Sequence, residues 1–460
     1  MKIKALALLA AMTATTAMAQ TAPHERQARD IYEKVIAFRT AAGHGQMPKM
    51  TDYLVGVLKA GGVPQADIAI LPLGETNAMV VRFPAAGKPS KKPILFSAHM
   101  DVVDARPEDW TRDPFRLIEE NGYFFGRGTS DNKAGVTALV STIVRLKAEG
   151  FKPKRDLVFA FIGDEETLMA TTKLVAAHPW VKDAEFAINT DAGGGALDES
   201  GKPVIYLVQG AEKTYATFEL TVPNPGGHSS RPRSDNAIYD LAAALARLQA
   251  YRFPVMANAL TRDYLGAVGK SMPGEVGEGL RAFAANPQDQ KASDYLATQP
   301  EFVGTTRTTC VATMLNAGHA ENALPQKATA TVNCRIFPDV KVADVQAELA
   351  RVVANPAIQF KVLNDPQPSP VSEMRPDVMA AITRAIHVDY PGVPIVPYLE
   401  SGGTDGKIYR IAGIPTFASS GLFTKTSDMF AHGLNERLAV PAFYKGLGHI
   451  YRVTKDLGGR

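Results

Sequence analysis

The chain has 460 residues, 45% hydrophobic and 21% charged, with a formal charge of +3. This is the composition of a globular protein, long enough for two or three domains of roughly 100–200 residues. It gives no electrostatic case for nucleic acid, and two cysteines, Cys310 and Cys334, are too few for a disulfide scaffold.

The N-terminus reads as a secretory signal. Lys2 and Lys4 precede the apolar run Ala5–Met12, and Ala17-Met18-Ala19 offers small residues for cleavage after Ala19. A periplasmic or secreted protein is expected, with its charge lowered from +3 to about +1 by loss of the two lysines. No later apolar run reaches the ~20 residues of a spanning helix. Residues from about His24 to Gly61 have helical periodicity. Short continuous apolar runs follow at Ala78–Val81, Pro93–Ala98, Leu157–Ile162 and Phe186–Ile188, which suit strands buried on both faces. Ala134–Lys147 between them reads as a helix, so the order is that of an α/β sheet covered by helices.

The pattern changes after about Gln209. Thr214–Val222 alternates like a half-buried strand, and Asn236–Gln249 reads as a helix. Two facing strands near Thr308–Leu315 and Lys327–Ile336, a helix at Val342–Val353 and a strand at Phe360–Leu363 complete a β-α-β-β-α-β unit. Tyr251–Glu301 is an insertion within it. Pairing of the two facing strands would let Cys310 and Cys334 meet across them. From about Pro370 the α/β character returns, with a helix at Pro376–His387 and a buried strand at Ile414–Ser419. The expected architecture is an α/β domain (20–208 and 367–460), with helices on both faces of a mostly parallel sheet. A smaller α+β, ferredoxin-like unit (209–366) interrupts it.

Five clusters carry the chemistry. His99-Met100-Asp101 ends the strand at Ala98, where residues two apart point the same way and a carboxylate can orient a ligand imidazole. Gly126–Gly135 holds Asp131 in a glycine-rich lead-in to a helix, where an aspartate could equally be an N-cap. Glu165 and Glu166 follow the strand at Ile162; one can bind a metal while its neighbour acts as a general base. Asp191 stands at another strand end, and His432 lies in Ala431–Glu436. Each alone has a plain alternative as a surface or structural residue. Together, imidazoles and carboxylates at strand ends suit two divalent ions, most often zinc, with one aspartate as a bridge.

With these motifs in this order, the sequence resembles the zinc metallopeptidase family that contains glutamate carboxypeptidase, aminoacylase, yeast-type carboxypeptidase S and succinyl-diaminopimelate desuccinylase. The resemblance runs from about His24 to Tyr451. It implies two Zn2+ per chain, with Co2+ or Mn2+ as substitutes. Asp131 bridges them, His99 and Asp191 complete one site, and Glu166 and His432 the other. Asp101 orients His99, and Glu165 is the general base for a metal-bridging water. The smaller domain becomes a lid and homodimer interface. Its His228, in Gly226-Gly227-His228-Ser229, reaches the active site, usually of a partner subunit, and steadies the oxyanion. Asn322 and Arg335 hold a substrate carboxylate, for which a guanidinium fork is suited, and Gly402 and Gly403 lie close by. The implied substrate is a small peptide with a free C-terminal carboxylate, cleaved in carboxypeptidase or dipeptidase fashion. An N-acyl-amino-acid deacylase is the alternative. An aminopeptidase and a non-catalytic exported binding protein are weaker readings, the last opposed by the presence of all six catalytic positions. The Tyr251–Glu301 insertion departs from the family pattern; it enlarges the lid and would reshape access.

Overall fold

A computed structural model describes residues 22–460. The expected signal segment, residues 1–19, lies outside the described residues. Among these, no helix is long and apolar enough to cross a membrane.

Among the described residues, ten strands form the main sheet. Its centre is parallel: Leu157–Ile162, Ile94–His99, Phe186–Asn189 and Thr416–Ala418 lie side by side in that order. All but Thr416–Ala418 come from runs of Val, Ile, Phe and Ala, and every residue of these four strands is buried. Such strands need cover on both faces. Helices Pro23–Ile36, Met47–Ala60, Lys133–Ala148, Pro376–His387 and Val440–Gly458 pack one face. Ala170–Ala177 and Gly406–Ile411 pack the other. The long helical stretch expected at the N-terminus is two helices. They are separated by a loop in which Gly43 and Gly45 take positive φ, a conformation most side chains resist.

Strand Pro203–Glu212 pairs with Thr416–Ala418 and with Ile395–Glu400, so the chain stays in the main sheet through Glu212. The expected boundary at residue 209 falls inside this strand. The sequence there hides it, because Gln209 and Glu212 are polar yet wholly buried. From Thr214 the smaller unit begins. Its sheet runs Thr309–Ala317, Lys327–Ile336, Thr214–Pro223, Gln359–Leu363, all antiparallel. Helices Ala237–Ala250 and Val342–Val353 share a core with Ala216, Phe218, Leu220 and Val222. Cys310 and Cys334 are opposite each other in register and form a disulfide.

The insertion is four helices, Ala259–Ser271, Gly274–Ala285, Gln290–Leu296 and Pro300–Thr306, with a small core of their own around Leu265, Leu280 and Phe283. It does not simply enlarge the smaller unit. Leu260 packs with Leu399 and Ala211, and the rings of Tyr264 and Tyr398 lie 6.0 Å apart, so it docks on the main sheet.

Candidate metal centre

The strand ends converge as the topology requires. Residues Ile94–His99, Leu157–Ile162 and Phe186–Asn189 are parallel neighbours, so the residues following them open on the same edge of the sheet. His99 is buried, with Nε2 2.8 Å from Asp131 Oδ1 and 3.1 Å from Asp191 Oδ1. His432 Nε2 stands 2.9 Å from Glu166 Oε1 and 3.1 Å from Asp131 Oδ2. Asp131 thus has one oxygen on each imidazole and lies between the two groups. Three triads, His99/Asp131/Asp191, His99/Glu165/Glu166 and Asp131/Glu166/His432, each bring their donor atoms within 4.8 Å of one another. Asp131 is not a helix cap. Asn132 occupies that position, and its amide nitrogen donates to Asp191 Oδ1 at 2.9 Å.

Asp101 meets His99 through both its main chain and its side chain. The His99 Nδ1 hydrogen bond runs to the Asp101 main-chain oxygen at 3.1 Å, with the carboxylate Oδ1 at 3.5 Å. The other carboxylate oxygen accepts from the Glu166 backbone N–H at 2.9 Å. One residue therefore fixes the His99 ring and the loop that carries Glu166.

The electrostatics favour cations. Burial works against a charged His99, but Asp191 and the hydrogen bonds to Asp101 and Asp131 outweigh it, and its pKa stands well above the ordinary imidazole value. Hydrogen bonds to Asp131 and Glu166 push His432 up to about 10. Asp131 loses solvation by burial, yet the two histidines hold its pKa below the usual carboxylate range. Burial raises Asp191 to about 6, against the pull of His99. Glu165 is buried, and that burial, with the charge of Asp191, lifts it well above an ordinary glutamate. Four carboxylates thus crowd around two imidazoles. Two divalent ions would balance the four negative charges of Asp131, Glu165, Glu166 and Asp191, and the nitrogen and oxygen donors suit zinc-like metals. The donor set fits the group.

Glu436, at the end of the His432 motif, builds the site. It is wholly buried and accepts from the backbone N–H groups of Gly128 (3.0 Å), Ser130 (2.8 Å) and Asp131 (3.2 Å), from Ser130 Oγ (2.9 Å) and from Arg127 (2.8 Å). It holds the loop that presents Asp131. Asp164 does similar work beside Glu165, accepting from the N–H groups of Ala170 and Thr171. No local sequence rule separates either from a solvated acid.

A cleft of about 450 Å³ adjoins the cluster, lined by Asp131, Asp191, Tyr398, Glu400, Gly402 and Gly403 among others. Glu400 shapes its wall, accepting from Gly402 N at 2.9 Å and from Tyr398 Oη at 2.8 Å. The smaller unit's residues are not joined to the cluster. His228 is exposed on a short strand paired with Ala323–Leu324, and its Nδ1 accepts from Ser230 Oγ at 2.8 Å. Asn322 is exposed, its carbonyl accepting from Ser229 N. Arg335 stacks over Tyr215 at 4.7 Å and donates to the Ser401 carbonyl at 3.2 Å, beside the glycine pair. Among the described residues, no hydrogen bond or ion pair links these three to the metal-binding set.

The model of Peptidase family M20/M25/M40 matches residues 95–456, and the chain belongs to that family, whose members hydrolyse amide bonds. It is similar to human N-fatty-acyl-amino acid synthase/hydrolase PM20D1, at 29% identity over 377 residues, 80% of this chain and 74% of that protein. It is 30% identical over 384 residues to "Probable carboxypeptidase S-like 2" of Dictyostelium discoideum, covering 80% of this chain and 72% of the relative. Among solved structures, the di-peptidase Dug1p of Saccharomyces cerevisiae shares the fold, with a TM-score of 0.69 at 18% identity over 94% of this chain and 96% of that one.

Proposed function

We propose that this chain is an exported, zinc-dependent exopeptidase that cleaves the amide bond next to a free C-terminal carboxylate. The observation that carries this reading is Asp131, set between His99 and His432 with a further carboxylate beside each imidazole. Asp131, His99 and Asp191 would hold one ion, and Asp131, Glu166 and His432 the other. When bound, the ions supply Lewis acidity to the scissile carbonyl and to water. Glu165 belongs to the cluster, among the described residues no hydrogen bond commits its carboxylate, and its raised pKa suits a group that takes a proton from water and returns it to the leaving nitrogen. Arg335 and Asn322 receive the substrate carboxylate, and Gly402 and Gly403 leave room for the chain beside it.

His228 completes the site from the smaller unit, which serves as lid. Homodimerisation through that unit has a physical basis in its edge strand, Thr309–Ala317, where Val311, Met314 and Leu315 are 60–69% exposed. An unpaired apolar edge is a template for another strand.

A second reading, hydrolysis of N-acyl amino acids, is favoured by a specific feature. Leu168, Met429 and Leu434 are 79%, 73% and 54% exposed on the segments that carry Glu166 and His432. An apolar rim there suits an apolar acyl group. The discriminating experiment assays the zinc- or cobalt-loaded chain on dipeptides, their C-terminal amides and N-acyl amino acids of increasing chain length. Cleavage that needs the free carboxylate is expected, with dipeptides preferred. Equal cleavage of the amides would overturn the carboxylate requirement, and strong preference for long acyl chains would move the assignment to the second reading.

A further inference from the structure

The inserted helices reach the cleft beside Asp191 through one strand. Among the described residues, Ile395–Glu400 pairs only with Pro203–Glu212, so it is an edge strand of the main sheet. Helix Ala259–Ser271 of the insertion packs against it. Leu260 and Tyr264 stand four apart on that helix and share a face. Leu260 clusters with Leu399, and the Tyr264 ring lies 6.0 Å from that of Tyr398. Consecutive residues of a regular strand point to opposite faces. The pairing with Pro203–Glu212 slips between Tyr398 and Leu399, an irregularity of the kind that re-aims side chains, and both residues meet the one helix.

Tyr398 is buried and lines the cleft. Its hydroxyl donates to Glu400 Oε2 at 2.8 Å and accepts from the Gly193 backbone N–H at 3.1 Å. Gly193 lies two residues beyond Asp191, and its carbonyl accepts from Ser420 Oγ at 2.9 Å. The other Glu400 oxygen accepts from the N–H groups of Ser401 at 2.7 Å and Gly402 at 2.9 Å. One phenol therefore joins the loop beyond Asp191 to the Glu400–Gly402 wall. Burial, then the charge of Glu400, holds that phenol well above its ordinary pKa, so it keeps the proton it donates.

We propose that the insertion braces the cleft from outside. Tyr264 fixes the Tyr398 ring, and Tyr398 is a positioning residue that sets the Glu400–Gly402 wall against the loop of Asp191. The brace rests on the reading that the substrate occupies this cleft, and is independent of which amide is cleaved. Asp191 itself has separate supports, His99 Nε2 at 3.1 Å and the Asn132 amide at 2.9 Å. Loss of the brace therefore moves the wall and leaves the metal ligands in place.

The test uses the metal-loaded chain and the substrate that the wild type cleaves best, with thermal unfolding as the check on folding. Tyr398→Phe removes only the hydroxyl and should raise KM about tenfold, with kcat within about threefold of wild type. Tyr264→Ala should raise KM by about threefold or more, and Tyr264→Phe, which keeps the ring, should restore it. Because both residues act along one line, the double variant Tyr264→Ala/Tyr398→Phe should match Tyr398→Phe alone. Hydrogen exchange reads the brace without substrate: the Gly193 amide should exchange about tenfold faster in Tyr398→Phe, and faster than wild type in Tyr264→Ala. Wild-type KM and wild-type exchange in these two variants would overturn the brace, as would multiplying effects in the double variant or a Tyr264→Phe that behaves as Tyr264→Ala. A wild type inactive on every amide would sink the functional reading instead, and the exchange rates would still decide the brace.

Discussion

Glu436 offers a sharp test of how the metal centre is held. Its carboxylate is buried and receives five donors, one of them Arg127, whose side chain is 3% exposed. Replacing Glu436 by Ala leaves that guanidinium without its counter-charge, a loss worth about 3–5 kcal/mol. The N–H groups of Gly128, Ser130 and Asp131 lose their acceptor as well, at about 1 kcal/mol or more each, so about 6 kcal/mol or more is the expected total. Glu436→Gln keeps the shape but turns an amide NH2 towards donors on one side, and should cost about 2 kcal/mol. The loop that carries Asp131 loses its anchor in both variants, so metal affinity should fall in the same order. Urea unfolding followed by circular dichroism measures the first quantity, and competition with a zinc chelator the second. The reasoning fails if Glu436→Ala lies within 1 kcal/mol of wild type and binds zinc equally well.

Four further outcomes are expected. Glu165→Gln should keep two metals per chain while turnover drops by about 10²–10⁴; metal analysis beside a rate assay checks this, and a fully active variant would show that another group is the base. His449 is buried, its pKa pushed down to about 3 by burial and then by Arg452, so below pH 6.5 the unfolded chain binds its proton more readily than the folded one. Its contribution is complete above about pH 6.5 and fades as pH falls towards 3, by about 2 kcal/mol at pH 5; His449→Gln should flatten the acid side of the stability profile, and an unchanged slope counts against it. Charged replacements Met314→Glu and Leu315→Glu should turn a dimer into monomers in sedimentation, and a monomeric wild type would remove the premise. Denatured, unreduced protein should titrate no free thiol, and loss of the Cys310–Cys334 bridge, which closes a 24-residue separation, should cost about 3 kcal/mol; two thiols per chain would contradict the bridge.

Much of this molecule is written in its apolar runs. Leu157–Ile162 is buried at every position, and that continuity alone marks a strand covered on both faces. Because ligands follow such strands, the sequence itself places His99, Glu165, Glu166 and Asp191 together. What could not be read depends on pairing across the chain. Strand Pro203–Glu212 looks polar at its end because Glu212 is neutralised by Arg410, 198 positions away. Glu436 resembles any surface acid until the loop at Gly128–Asp131 closes on it. That the Asp101 main-chain oxygen also meets His99 follows from a backbone bend and not from the residue type.

The bond between Ser130 N and Glu436 spans 306 positions. That span imposes an order of assembly. Before the segment around residue 436 is in place, His99, Glu165, Glu166 and Asp191 can stand at their strand ends, yet the loop bearing Asp131 has nothing to rest on. Completion of the cluster therefore waits for the segment that carries His432 and Glu436.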